Sequence, residues 1–260
     1  MNEPVNYKTK IREILGRNIR SIFERLTGWH IHTVNPRGVY LADDIKNVLP
    51  HYEVRVVFDV GANIGQSTNR YLKAWDNAVV YSFEPVSDTF EQLKRNLISP
   101  ERVQCFKLAF GPMKEQGEMI LAGDSKQFML REHYMNKDYS QKLRTQQVEV
   151  ETLDNFCQNF GIEHISLLKV DTEGHDLQVL HGAANLLKEH KVDLIQVEVG
   201  MNSLKSLHVS LESVKNYLEQ NNYYMFGLYE QVGDWSVGSA VLRRADAVFV
   251  SFALSEQQVQ

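Results

Sequence analysis

The 260-residue chain has little of several features that mark particular protein classes. Its two cysteines, Cys105 and Cys157, are too few for a disulfide framework and lack the paired spacing of a metal site. No stretch approaches the ~18 consecutive apolar residues of a membrane span, and the N-terminus lacks the apolar core of a signal peptide. Lys and Arg number 28 against 33 Asp and Glu, which argues against a nucleic-acid partner. We therefore expect a soluble, cytoplasmic protein.

The N-terminal segment 8–26 has an amphipathic, locally basic pattern. Its Ile, Leu and Phe residues recur at helical spacing, and its Lys and Arg residues lie largely off that stripe. The pattern predicts a helix within an N-terminal helical appendage, residues 1–50. Two roles for this helix stay open, namely docking on the core or a second subunit, and peripheral attachment to an anionic membrane surface.

From about residue 54, short β-branched runs alternate with helical segments, among them a strand-like run at 103–110 and a helix near 176–190. This alternation predicts βαβ units and a parallel sheet with helices on both faces. We expect an α/β domain over residues 51–260, with a Rossmann-like, doubly wound, mostly parallel sheet and a C-terminal antiparallel hairpin. The polar stretch 111–147 is too long to be a simple connection and is predicted to be an insertion.

Four predicted parallel strands carry an acid at or near their carboxyl ends: Asp59, Glu84, Asp171 and Glu198. In an open α/β sheet this edge is where ligands bind. A single acid at such a junction is equally well explained as a cap for the following helix. Four together, with a glycine turn after the first, favour a binding site.

The glycine turn reads Asp59-Val-Gly61-Ala-Asn63-Ile-Gly65. A dinucleotide fingerprint needs a second glycine where Asn63 stands, and its third glycine falls one position later than Gly65, so the turn disfavours NAD. Asp59 suits a ligand that has an amine and no phosphate. Glu84, at the end of the next strand, suits a ribose diol. S-adenosylmethionine has both groups.

Five segments together resemble the FkbM family of class I S-adenosylmethionine-dependent methyltransferases: DVGANIGQ, SFEP, VETLDNF, LLKVDTEGHDLQVLHGA and VDLIQVEV. The resemblance runs from about residue 54 to 251. It implies O-methylation of a hydroxyl, most often on a sugar of a glycan, glycolipid or natural product. It also implies cofactor contacts from Asp59, Gly61, Asn63 and Gly65 around the methionine part, from Glu84 at the ribose, and from Asp171 near the methyl group.

An aliphatic hydroxyl becomes a good nucleophile when a base or a metal acts on it. The candidate catalytic residues are His175, Glu173 and Asp171. His175 matches a base by its ordinary pKa, whereas Glu173 is either the base or a charge that stabilises the helix N-terminus. Asp171 with Glu198 is also a candidate pair for Mg²⁺, which prefers carboxylate oxygens.

Acceptor specificity is expected from the insertion 111–147 and the aromatic segment 223–235. Aromatic residues in these segments are candidates to stack on sugar rings: Tyr134, Tyr139, Tyr229 and Trp235. The alternative is that the tyrosines and Phe226 of the second segment simply pack the C-terminal hairpin. Two other functions stay open, a non-catalytic S-adenosylmethionine-binding module and an NAD-dependent oxidoreductase.

Overall fold

The structure is a computed structural model that describes residues 25–26, 36–121, 128–130, 144–202, 208–233 and 240–256. The chain divides into two compact units, 1–40 and 41–260, and the helices and strands that the structure bounds all lie in the second. Nearly all of the predicted helix 8–26 falls outside the described residues, as do Tyr134, Tyr139 and Trp235. Within the described residues, no helix has the length and apolar character required to cross a membrane.

The main sheet has seven strands in the order β10-β11-β9-β8-β1-β2-β3. Strands β9, β8, β1, β2 and β3 are parallel, and β11 pairs antiparallel with both β9 and β10. The predicted parallel sheet with a C-terminal hairpin is therefore confirmed. The bounds of its strands are β1 Val56–Val60, β2 Val79–Phe83, β3 Val103–Phe106, β8 Ile165–Val170, β9 Val192–Gly200, β10 Tyr223–Gly233 and β11 Leu242–Ser251.

Helices cover both faces of this sheet because neighbouring strand residues point in opposite directions. In β8, for example, Leu167 belongs to one buried cluster and Leu168 to the other. One face packs against helices α1 Leu41–Val48, α2 Gln66–Ala74 and α8 Phe252–Glu256, and the other against α4 Leu153–Phe160, α5 Asp176–His181, α6 Ala184–Lys188 and α7 Leu211–Gln220. Helix α3 Ser87–Asn96 connects β2 with β3. The doubly wound arrangement leaves the carboxyl edge of the parallel strands open.

The described part of the predicted insertion forms a second sheet of four strands in the order β4-β7-β5-β6. Its strands are β4 Ala109–Phe110, β5 Glu115–Leu121, β6 Phe128–Leu130 and β7 Arg144–Glu151. A glycine at position 182, between α5 and α6, lets the helix end lie against the backbone of Gly111, where an added Cβ would come within 2.1 Å of the carbonyl oxygen. The described residues of the segment 111–147 thus lie largely in β-strands.

Two elements differ from the sequence-based expectation. The predicted strand 103–110 is two strands in different sheets, because the chain leaves the main sheet after Phe106. The predicted helix 176–190 is broken at Gly182. Helix α1 lies in the unit 41–260, where Ile45 is buried and the Tyr229 hydroxyl donates to Asp44 over 2.8 Å.

Candidate functional site

A cavity of about 520 Å³ opens at the carboxyl edge of the parallel strands, within the size range of small-molecule sites. The structure brings most of the sequence-predicted site residues to its wall. Six of the described lining residues are Asp or Glu and four are Lys or Arg, so the wall is acidic overall. The predicted residues on the wall are Gly61, Asn63, Glu84, Asp171, Glu173, His175 and Glu198.

The first turn, residues 61–65, has three residues in the left-handed region: Gly61 at φ 78°, Asn63 at 49° and Gly65 at 95°. The backbone N–H groups of Gly61 and Ala62 donate to the Phe83 carbonyl, which ties this turn to the end of β2. A Cβ on Gly61 would lie 1.9 Å from the Asp171 carbonyl oxygen. Glycine is therefore required at position 61 by both its conformation and its neighbour.

Glu84 lies directly after β2 and is 6 % exposed. Its carboxylate accepts from the backbone N–H of Asn63 over 3.1 Å and from that of Val86 over 2.8 Å. Burial raises the pKa of Glu84 to about 7, and the two N–H donors oppose this rise. Glu84 therefore links the first turn to the start of α3 and faces the cavity as a carboxylate that titrates near neutral pH.

Asp59 is fully buried and is absent from the described cavity wall. Its oxygens accept from the hydroxyls of Ser67 and Thr68, the latter over 2.7 Å, and Lys169 Nζ lies 3.3 Å away. Strand register places Asp59 beside Lys169 on β8. Burial lowers the pKa of Lys169, but Asp171 and Asp59 outweigh it and raise the pKa above its ordinary value. Asp59 thus anchors α2 and Lys169 beneath the cavity.

The second turn, residues 171–176, follows β8 and also contains left-handed residues, Glu173 at φ 53° and Gly174 at 104°. Asp176 is fully buried and accepts three hydrogen bonds from this turn. Its Oδ1 accepts from Thr172 N over 2.8 Å and from Thr172 Oγ1 over 3.1 Å, and its Oδ2 accepts from Gly174 N over 3.1 Å. The Glu173 side chain leaves this fixed turn towards the cavity wall.

The carboxylates that line the cavity differ in their partners. Glu84 accepts backbone N–H groups, Asp171 accepts from Lys169, Glu230 pairs with Arg70, and Asp246 accepts from Gln196. Within the part of the chain that the structure describes, the Glu173 carboxylate has no hydrogen bond or ion pair of this kind. Burial, followed by the charges of Asp171 and Asp176, raises the pKa of Glu173 to about 7.

His175 precedes α5 and is 3 % exposed, so it is a buried residue of the cavity wall. A methyl group added to Gly111 would come within 3.3 Å of its Nε2, which places the ring towards the start of the second sheet. The ring therefore lies at the junction of the two sheets.

Glu198 is 7 % exposed and has a guanidinium beside one carboxylate oxygen and an imidazole beside the other. Arg244 forms an ion pair with Oε1, and His208 Nδ1 lies 3.1 Å from Oε2. Burial lowers the pKa of His208. Glu173 lies beside this pair. One oxygen of its carboxylate, one oxygen of the Glu198 carboxylate and one ring nitrogen of His208 all lie within 4.8 Å of one another.

The predicted Mg²⁺ pair, Asp171 and Glu198, is not supported by this geometry. Asp171 accepts from Lys169 over 3.1 Å, and Arg244 supplies positive charge at Glu198. The carboxylates at this point of the wall thus have a guanidinium and an ammonium as counter-ions. An imidazole beside them is also a donor that Mg²⁺ disfavours relative to oxygen.

The segment that follows β3 also contributes to the cavity wall. Leu108, Ala109 and Phe110 line the cavity beside Glu84, and Met119 of β5 joins them. The described part of the segment 111–147 thus reaches the Glu84 side of the cavity. The side-chain amide of Gln146 on β7 joins the second sheet to this side of the cavity, because it accepts from the Ser87 N–H and donates to the Pro85 carbonyl.

The aromatic residues of β10 mostly pack the core. Tyr223, Phe226 and Tyr229 are buried, and Tyr229 does not line the cavity, so its predicted stacking role is wrong. Tyr224 is 44 % exposed. The alternative that these aromatics pack the hairpin is confirmed for the three buried residues.

The described cavity residues that sequence reasoning missed include Lys169, Gln196, His208 and Arg244. Lys169 and Gln196 each stand between two apolar residues along β8 and β9, and a polar residue inside a buried strand is itself an informative signal. Gln196 accepts from the Tyr71 hydroxyl and donates to Asp246 over 2.6 Å. His208 and Arg244 carry no such signal, because only the fold brings them beside Glu198.

The chain is similar to several known methyltransferases. The 2-O-methyltransferase NoeI of Sinorhizobium fredii is 26 % identical over 144 residues, covering 51 % of this chain and 58 % of that protein. The hexuronic acid methyltransferase AglP of Haloferax volcanii is 28 % identical over 153 residues, covering 56 % and 57 %. The chain thus spans less than two thirds of the length of these curated relatives. Among solved structures, the METTL16 methyltransferase domain aligns at 11 % identity and a TM-score of 0.48, covering 90 % of this chain and 77 % of that one.

The model of the methyltransferase FkbM domain matches residues 59–225, which is more than half of the chain. The match begins at Asp59 beneath the first turn and includes Glu84, the second turn and Glu198. The chain belongs to the FkbM methyltransferase family.

Proposed function

We propose that this protein is an S-adenosylmethionine-dependent O-methyltransferase that acts on a sugar hydroxyl, with Glu173 as the general base. The observation that carries the proposal is the Glu173 carboxylate. It lies on the cavity wall without a side-chain partner among the described residues, on a left-handed backbone that Asp176 fixes. Strain of this kind concentrates at functional sites. Family membership and the names of NoeI and AglP support the reaction and the sugar class.

The cavity wall fits the cofactor. The close approach of Gly61 to Asp171 leaves a tight backbone cradle for the methionine part, and Glu84 offers a carboxylate to the ribose diol. Apolar side chains of Leu108, Phe110 and Met119 border the adenine. S-adenosylmethionine supplies the methyl group, and each transfer to a hydroxyl releases one proton.

Glu173 takes up that proton. A base works best when its pKa is near the operating pH, and the pKa of Glu173 is raised to about 7. Asp171 is held by Lys169 and so stays fixed beside the first turn, where it orients the cofactor. His175 is a lesser candidate for the base because the geometry directs its ring to the junction with the second sheet.

The test combines cofactor binding with transfer. Titration calorimetry with S-adenosylmethionine should show binding, and NAD⁺ should show none. Tritiated methyl transfer is then measured on a panel of neutral sugars and hexuronic acids. Product that survives mild alkali is a methyl ether and supports the proposal, whereas alkali-labile product is an ester and contradicts transfer to a hydroxyl.

Glu173→Gln tests the base. It should lower kcat by about 10²- to 10⁴-fold while cofactor binding stays close to that of the wild type. The matched variant is Glu230→Gln, which also removes a cavity carboxylate on a left-handed backbone, at φ 44°, but one that pairs with Arg70. Its effect on kcat should be much smaller. Equal kcat in Glu173→Gln and wild type would remove Glu173 from the mechanism.

A further inference from the structure

We infer that Asp176 is a positioning residue of this site, which fixes the left-handed turn that presents Glu173 and adds a negative charge beside it. The inference rests on the proposed function in naming Glu173 as the base. Asp176 does not line the cavity and is fully buried, so it acts through the turn.

The hydrogen-bond geometry carries the positioning role. One oxygen of Asp176 accepts both the N–H and the hydroxyl of Thr172, and the other accepts the N–H of Gly174. These donors lie on either side of Glu173, so the carboxylate closes a loop around that residue. A left-handed glutamate persists only when its surroundings over-determine the backbone. Asp176 supplies that constraint.

The charge of Asp176 carries the second role. The charged and titratable groups near Glu173 come from β8, the second turn, β9, β11 and the segment before α7. Burial, Asp171 and Asp176 raise the pKa of Glu173, and Arg244 and Lys169 lower it. Glu198 and His208 also lie beside the Glu173 carboxylate. Burial raises the pKa of Asp176 itself to about 6, so Asp176 is largely ionised where Glu173 titrates.

Asp176→Asn separates these roles from simple packing. The amide has nearly the same shape, but it offers one oxygen where two are needed, so either Thr172 or Gly174 loses its acceptor. It also removes the charge. We expect the pKa of Glu173 to fall, kcat to drop by about tenfold to a hundredfold as the carboxylate loses its alignment, and cofactor binding to stay near wild type.

The primary readout is the titration of Glu173 in the full-length protein, followed by NMR of ¹³C-labelled glutamate carboxyls and assigned with Glu173→Gln. A lower pKa of Glu173 in Asp176→Asn supports the inference, and an unchanged pKa overturns it. This readout needs no acceptor. If the pKa shifts but Glu173→Gln keeps full turnover, the proposed base is wrong while the role of Asp176 in the turn stands.

Two further variants complete the test. Asp154→Asn is the matched control, because Asp154 is also a first-turn aspartate that accepts two backbone N–H groups, those of Asn185 and Leu186. It should lower stability without moving the Glu173 titration or kcat. Asp176→Glu keeps the charge and displaces the carboxylate, so it should lower kcat with little change in the Glu173 pKa. Wild-type kcat in Asp176→Glu would overturn the positioning role, even if Asp176→Asn does not fold.

Discussion

The two turns at the open edge follow neighbouring strands, β1 and β8, and touch where Gly61 meets the carbonyl of Asp171. Both turns contain left-handed residues, but their acidic side chains lie at different depths. In the first, Asp59 is withdrawn beneath the turn, where Ser67, Thr68 and Lys169 contact it. In the second, the withdrawn acid is Asp176, and Glu173 is left facing the cavity. In each turn, therefore, a buried acid fixes the backbone and separate residues line the cavity.

The largest effect is expected where the two turns touch. Gly61→Ala combines a positive φ with a Cβ 1.9 Å from a backbone oxygen, so the turns must separate. We expect unfolding free energy to fall by about 3 kcal/mol or more and cofactor binding to be lost. Thermal unfolding and calorimetry measure both.

The control for this clash is Gly161→Ala, which also has a positive φ but no heavy atom within 4 Å of the added Cβ. It should cost only about 1 kcal/mol, from backbone strain alone, and spare cofactor binding. Equal losses in the two variants would show that strain, not contact between the turns, decides the effect.

The second-largest effect concerns Asp59, the buried acid of the first turn. Thr68→Val removes a hydroxyl that bonds Asp59 over 2.7 Å and Ser82 over 2.9 Å, and Thr68 is fully buried. Denaturant unfolding should show a loss of about 1–3 kcal/mol. Cofactor affinity should change little because Thr68 does not line the cavity. The control is Thr145→Val, because Thr145 is exposed. A large loss of cofactor affinity in Thr68→Val would indicate that Asp59 contacts the cofactor directly.

Ionisation of Glu84 should lower stability and raise cofactor affinity as the pH rises. Its pKa is raised to about 7 from an ordinary 4.5, so between these values the folded state holds more protons than the unfolded state. The stability that this group contributes is therefore present below pH 4.5 and lost as pH rises towards 7. Cofactor affinity should rise over the upper part of the same window, because the ionised carboxylate is the better acceptor for the ribose diol.

Glu84→Gln should flatten the pH dependence of cofactor affinity and remove part of that of stability, since Glu173 and Asp176 contribute to stability in the same direction. Calorimetry and thermal unfolding from pH 5 to 8 give both curves. The exposed Glu91→Gln on α3 is the control. Affinity that still rises through pH 7 in Glu84→Gln would assign the dependence to another group.

The smallest effect is expected from metal removal. Because Arg244 and Lys169 already balance the carboxylates beside the second turn, turnover should be the same with excess chelator and with added Mg²⁺. Methyl transfer measured in both conditions checks this. A clear loss with chelator would show that a cation, and not the arginine, balances Glu198.

Much of the fold could be predicted from the sequence because it depends on local periodicity. The apolar runs of β1, β8 and β9 and the helices between them follow directly from patterns of buried and exposed residues. The second sheet could not, because β5 and β7 are polar strands whose pairing is fixed by contacts distant in sequence. The break at Gly182 also depends on a contact, with the backbone of Gly111.

The site divides in the same way. The glycine turn, Glu84 and the second turn could be located because strand ends meet at one edge. Their individual roles depend on depth and partners that spacing does not encode. Asp59 and Asp171 look alike in sequence, yet the first is fully buried and the second lies on the cavity wall. Likewise, Arg244 reaches Glu198 only because β11 pairs with β9.

The acidic wall of the cavity has a consequence for turnover. In the proposed reaction, S-adenosylmethionine enters with a sulfonium charge, and the molecule that remains after transfer has lost it. Six carboxyl groups face four Lys or Arg side chains, so the wall attracts the donor more strongly than the spent cofactor once Glu84 and Glu173, with pKa values of about 7, are ionised. The spent cofactor therefore binds less strongly than the donor once the methyl group has left. The same acidic wall thus favours binding of the donor and release of the spent cofactor.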